Sequence, residues 1–135
     1  MKMMHKEHLS VFVVALVLCQ GAFAKSHTPK AGSQERKAIM DALRVPIQKE
    51  AKTRPTFIVN YLKVDGGWAF TQVQAVDAKG KVLGQDYMDG NVHALLRLTK
   101  NNWKVLVYGS ATDTSIIEEA KRKYPNAPKT LYNFG

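Results

Sequence analysis

The stretch from Thr56 to Val76 constrains this chain most. A β-rich run, Phe57-Ile58-Val59-Asn60-Tyr61-Leu62-Lys63-Val64, meets the turn Asp65-Gly66-Gly67, and a second run opens at Trp68-Ala69-Phe70. Glycine reaches positive φ without a Cβ clash, so Asp-Gly-Gly between two strand-forming runs specifies a tight antiparallel hairpin. In strand one, Thr56 to Val64, the set Phe57, Val59, Tyr61 alternates with Ile58, Leu62, Val64. Two apolar sets predict a strand covered on both faces, and so the centre of the sheet. Strand two, Trp68 to Val76, puts Trp68, Phe70 and Val76 opposite Ala69, Val73 and Ala75. The small set leaves room for a helix.

On the N-terminal side, Ser33 is a good N-cap, Glu35 suits the positive end of a helix dipole, and Ile39, Ala42 and Leu43 form an apolar stripe. Pro46 disfavours helical geometry at Val45, which predicts that helix one ends near there. Ile47 extends the stripe if a further turn follows, and Gln48 to Arg54, closed by Pro55, reads as the connection into the sheet. Beyond the hairpin, Asp77-Ala78-Lys79-Gly80 is a turn. Lys81 to Tyr87, interrupted by Gly84, reads as a short edge strand or an irregular excursion. Asp89-Gly90-Asn91 turns into the cleanest alternation in the chain, Val92 to Thr99, with His93, Leu95, Arg97 and Thr99 on one face. Lys100-Asn101-Asn102 then leads to the strand Trp103 to Tyr108, with Trp103, Val105 and Val107 opposite Lys104, Leu106 and Tyr108, and Gly109 closes the sheet.

Helix two starts within Thr112 to Ser115. Ser115-Ile116-Ile117-Glu118 has capping-box spacing and Asp113 is an equally good cap. Ile116, Ala120 and Tyr124 make its stripe, Glu118 and Glu119 precede Lys121-Arg122-Lys123 in the order the dipole favours, and Pro125 stops it. Pro128 keeps the tail extended, with Leu131, Tyr132 and Phe134 free to dock on the core.

One helix, an antiparallel meander of four to five strands and a C-terminal helix packed on the sheet make an α+β fold, with both helices expected on one sheet face. This order, with Lys37-Ala38-Ile39-Met40-Asp41-Ala42-Leu43-Arg44 followed by Tyr61-Leu62-Lys63-Val64 and Gly67-Trp68-Ala69-Phe70, resembles uncharacterised small exported bacterial proteins of the cystatin-like/NTF2-like superfamily. The resemblance implies a fold and an envelope location. It carries no catalytic assignment, because one fold hosts enzymes and binders alike.

Residues 1–24 read as a cleaved signal peptide: Lys2 and Lys6, an apolar run from Leu9 to Cys19, and the ending Ala22-Phe23-Ala24, with cleavage expected after Ala24. The apolar run is shorter than the roughly 20 residues that cross a bilayer. Leu18 before Cys19 does not suit lipidation. The expected location is the periplasm or the medium, and residues 25–32 read as a flexible lead before an α+β domain at 33–135. Cys19 is the single cysteine, so the exported part excludes thiol catalysis and disulfides.

The chain carries a formal charge of +9, and +8 once Lys2, Lys6 and Glu7 are removed. In an exported protein such a balance points to an envelope protein or an anionic envelope component rather than nucleic acid. No cofactor, metal or catalytic motif is present in the sequence, so the expected class is a non-enzymatic binding protein, possible roles including inhibition or immunity. The alternative is a small NTF2-like enzyme or binder acting on a hydrophobic small molecule, with Tyr61, Trp68, Tyr87, His93 and Trp103 as ligand-binding candidates and Asp86 as a partner for Tyr87 or His93. On its strand, His93 reads as a rim residue beside Arg97. The set Phe57, Trp68, Phe70 and Trp103 reads first as core. Lys121, Arg122 and Lys123, together with Lys129, form the candidate basic surface.

Overall fold

The computed structural model describes residues 26–84 and 90–134. The expected signal peptide, Asp86 and Tyr87 lie outside the described residues. Helix α1 spans Gln34–Ala51, strands β1 to β4 span Thr56–Asp65, Trp68–Val76, Asn91–Thr99 and Asn102–Ser110, and helix α2 spans Ser115–Lys123, followed by a 3₁₀ turn at Lys129–Tyr132. The four strands form an antiparallel meander in the order β1-β2-β3-β4. The fold is therefore α+β, and among the described residues no helix is long and apolar enough to cross a membrane.

The Asp65-Gly66-Gly67 hairpin forms as its residues dictate. Asp65 pairs with Trp68, and Gly66 and Gly67 take φ of 57° and 83°, the two positive angles of a twist-matched two-residue turn. A second such turn joins β3 to β4, where Lys100 and Asn101 take φ of 50° and 66° and Thr99 pairs with Asn102.

The hairpin does not sit at the centre of the sheet. β1 is an edge strand, and β2 and β3 are the inner pair. Its apparent two-sidedness arises from a β-bulge: the register slips between Val59 and Tyr61, leaving Asn60 as an extra residue. One inserted residue flips every later side chain. Phe57, Val59, Leu62 and Val64 thereby join one hydrophobic cluster, while Tyr61 joins the other. A matching slip in β4, between the partners of Leu95 and Leu96, turns Val107 to the opposite face from Trp103 and Val105.

The helices cover opposite faces, not one. α1 lays Ile39, Met40, Leu43 and Ile47 on Ala69, Val73, Ala75, Ala94 and Leu96. The small residues of β2 do admit a helix there. α2 and the tail cover the other face with Ala120, Ala127 and Leu131 against Trp68, Phe70, Leu95 and Val107. Gly109 lets α2 approach, since a Cβ there would lie 2.6 Å from Ile116 Cδ1.

α1 also runs past Pro46 to Ala51, where Lys52 closes it in a left-handed conformation and donates its N–H to Gln48. A helix-interior proline normally breaks the ladder. Here Leu43 and Ile47 on either side of it are fully buried, and each contributes roughly 1.5–3 kcal/mol that offsets the cost. At the other end Ser33 caps the helix as expected, accepting the N–H of Arg36 at 3.2 Å. The segment read as a flexible lead is tied to the sheet: His27 and Val64 exchange backbone hydrogen bonds of 2.8 Å, and the His27 ring meets Glu35 at 2.6 Å.

The excursion after β2 keeps one isolated bridge, Val76 to Val82. At α2, Asp113 accepts the N–H of Ser115 at 2.9 Å, whereas Thr114 rather than Ser115 faces Glu118.

Candidate functional site

The bulge at Asn60 is what brings Tyr61 to the face shared by α2 and the tail. Its hydroxyl donates to the Leu131 carbonyl at 2.6 Å, with the Asn133 carbonyl 3.1 Å away. This bond holds the 3₁₀ turn against β1, so the tail turns here rather than staying extended after Pro128. Phe134 then lies on Tyr61 with ring centroids 4.4 Å apart, and Tyr132 meets Phe70 edge-on at 5.0 Å. Burial raises the phenol pKa of Tyr61 and of Tyr132 above the ordinary value. The space a ligand would need over this face is filled by the chain's own tail.

His93 lies beneath that tail. It is 4% exposed, not a rim residue, because β3 is an inner strand whose outer cover the sequence places far downstream. Its Nε2 sits 3.2 Å from Gln72 Oε1, and its ring contacts Phe70 at 5.4 Å and Phe134 at 6.2 Å. The bond to a carbonyl oxygen assigns the proton to Nε2 and leaves Nδ1 as an acceptor. That atom, like the Tyr132 hydroxyl, is buried without a hydrogen-bond partner among the described residues. Desolvation lowers the His93 pKa, opposed by the charge of Asp113. The ring is neutral at neutral pH.

The remaining perturbed groups are structural. Asp41 is held ionised by Lys37 at 2.7 Å and Arg44 at 2.5 Å, and Asp113 by the backbone N–H of Ser115 that it caps.

The other candidates separate. Trp68 is buried on the α2 face, with Arg97 stacked over its ring at 4.4 Å and Tyr124 at 6.2 Å. Trp103 is half-buried on the opposite face against the α1 cluster, together with Phe57. Tyr61, Trp68 and His93 therefore share a face that Trp103 does not. The set Phe57, Trp68, Phe70 and Trp103 divides two and two between the cores.

Open space lies elsewhere. A cleft of about 530 Å³ between the last turn of α2 and the tail is lined by Lys121, Tyr124, Pro125, Ala127, Lys129, Tyr132 and Asn133. Its charged lining groups are two lysines. Lys121 Nζ lies 5.1 Å from the centre of the Tyr132 ring, a cation over an aromatic face. Arg122 and Lys123 are exposed outside the cleft, and Lys123 pairs with Glu119 at 3.8 Å. The basic run thus contributes one residue to the cleft. Tyr124, Tyr132 and Asn133 are the lining groups that sequence reasoning did not assign. The prolines at 125 and 128, which end α2 and bend the chain back, are the signal that bears on them.

A second cleft, of about 480 Å³, runs between α1 and β4 and includes Val45, Pro46, Trp103 and Lys104. Comparison with known proteins returns no matching family, no similar curated protein and no similar solved structure.

Proposed function

We propose that this chain is a non-enzymatic exported binding protein that takes an anionic component of the cell envelope, an acidic glycan, in the cleft between α2 and the tail. The observation that carries the reading is the pairing of Lys121 and Lys129 with Tyr124 and Tyr132 around a cleft in which no Asp or Glu side chain stands among the described residues. Lysines attract carboxylate or phosphate groups, tyrosine rings offer flat apolar faces to a sugar ring, and the Asn133 amide can bond hydroxyls. The formal charge of +8 that remains once residues 1–24 are removed draws the same class of ligand. The enzyme reading, with Tyr61 and His93 acting on a hydrophobic small molecule, requires the tail to leave the face it fills, and so receives less support.

The test is calorimetric titration of the purified protein with a hexamer of galacturonate and with the neutral hexamer of glucose. The acidic hexamer should bind and the neutral one should not. Binding should weaken at least tenfold in Lys121→Glu/Lys129→Glu, and should weaken as salt rises, because exposed charges are screened over about 8 Å at physiological ionic strength. Equal affinity for the two hexamers, or indifference to the double substitution, would remove the proposal.

A further inference from the structure

The cleft between α1 and β4 joins apolar side chains to a sheet edge. β4 ends the sheet, and no strand lies beyond it among the described residues. At the opposite edge the lead pairs with β1 at Val64, and no such bridge covers β4 among the described residues. Residues flanking a two-residue turn form the hydrogen-bonded pair of a hairpin, and pairs then alternate along the strands. Thr99 and Asn102 flank such a turn, so Trp103 and Val105 direct their N–H and C=O groups outward from β3. The slip at Leu106 ends this regular stretch.

Across the cleft stand Val45, 70% exposed, and Pro46. Pro46 has no N–H to offer the Ala42 carbonyl one turn earlier, and Ala42 also lines the cleft. Lys104 is the one charged residue in the lining. Main-chain donors and acceptors at a sheet edge are matched by another main chain in extended form, and alternate side chains then enter the neighbouring groove.

We propose that this edge takes a short extended peptide of a protein partner as a fifth strand on Asn102 to Val105, with an apolar side chain seated against Val45 and Pro46 and an acidic residue facing Lys104. The bulge limits the added strand to about four residues. This site is separate from the glycan cleft, and each stands or falls without the other.

The probe is a phage-displayed library of random heptapeptides selected on the purified protein, followed by amide resonance mapping with one synthetic winner. Selected sequences should alternate apolar and polar residues and carry Asp or Glu. The winner should shift the amides of Trp103 and Val105. Val45→Asp, an exposed site whose fold is checked by circular dichroism, should weaken binding at least tenfold. Lys104→Glu should weaken it similarly and turn the library towards basic peptides. Absence of a consensus, binding that survives both substitutions, shifts that fall on Tyr124 and Lys129, or self-association through β4 abolished by Val45→Asp would each overturn the proposal.

Discussion

His93 shows how far a single residue's meaning depends on what later parts of the chain place over it. In sequence it shares a strand face with Arg97 and reads as rim, yet β3 is an inner strand and Phe134, forty-one positions later, closes over the ring. No local pattern encodes that contact. The buried neutral imidazole has a pH consequence. Its folded pKa lies below the ordinary 6.5, so between the two values the unfolded chain binds the extra proton. Stability should be complete above pH 6.5, fall as pH drops towards the folded value, and lose that dependence in His93→Leu. Urea melts between pH 5 and 7 measure the slope directly. Gly90 carries a second prediction. It sits at φ 71°, and a Cβ there would lie 1.9 Å from Val82 Cγ1. Gly90→Ala should cost about 2 kcal/mol from the left-handed backbone and the clash together, seen as a lowered melting temperature.

Whole elements were legible wherever a single local rule governs them. The Gly66-Gly67 hairpin, the bounds of β2, the Ser33 cap and the stop of α2 at Pro125 all follow from residues within a few positions. Two of the misplaced features, the position of β1 and the face of Val107, share one cause. Bulges at Asn60 and Leu106 reset the alternation, so period-two reading put β1 at the centre and Val107 with Trp103. Pro46 was similarly overridden by tertiary burial of its neighbours. An interior proline costs about 3 kcal/mol relative to alanine. Pro46→Ala should therefore raise stability, by about 1–3 kcal/mol, as read by chemical denaturation. The tail is the element that forms one wall of the cleft at the end of α2. Tyr61→Phe removes the hydroxyl that holds Leu131, at a cost of about 1 kcal/mol. Amides of residues 131–134 should then exchange faster with solvent while those of β2 and β3 stay protected.

At the scale of the molecule, the two clefts of a strongly basic chain lie on different sides of one sheet, one among the elements that cover the α2 face and one beside the β4 edge. The face that bears Tyr61, Trp68 and His93 is packed shut by α2 and the tail, and the open surfaces lie at the end of α2 and along β4. Composition suggests an anionic partner but offers no place for one. The proposed place depends on a return of the chain after Pro125 that sets Lys129 and Tyr132 beside Lys121 and Tyr124. This juxtaposition is the proposed ligand site. It is tested most directly by adding the galacturonate hexamer to isotope-labelled protein and following every backbone amide. Concentration-dependent shifts should centre on Lys121, Tyr124, Lys129 and Asn133, with the amides around His93 unmoved. Shifts scattered evenly over the exposed lysines, or centred on Tyr61 and His93 with release of the tail, would contradict it.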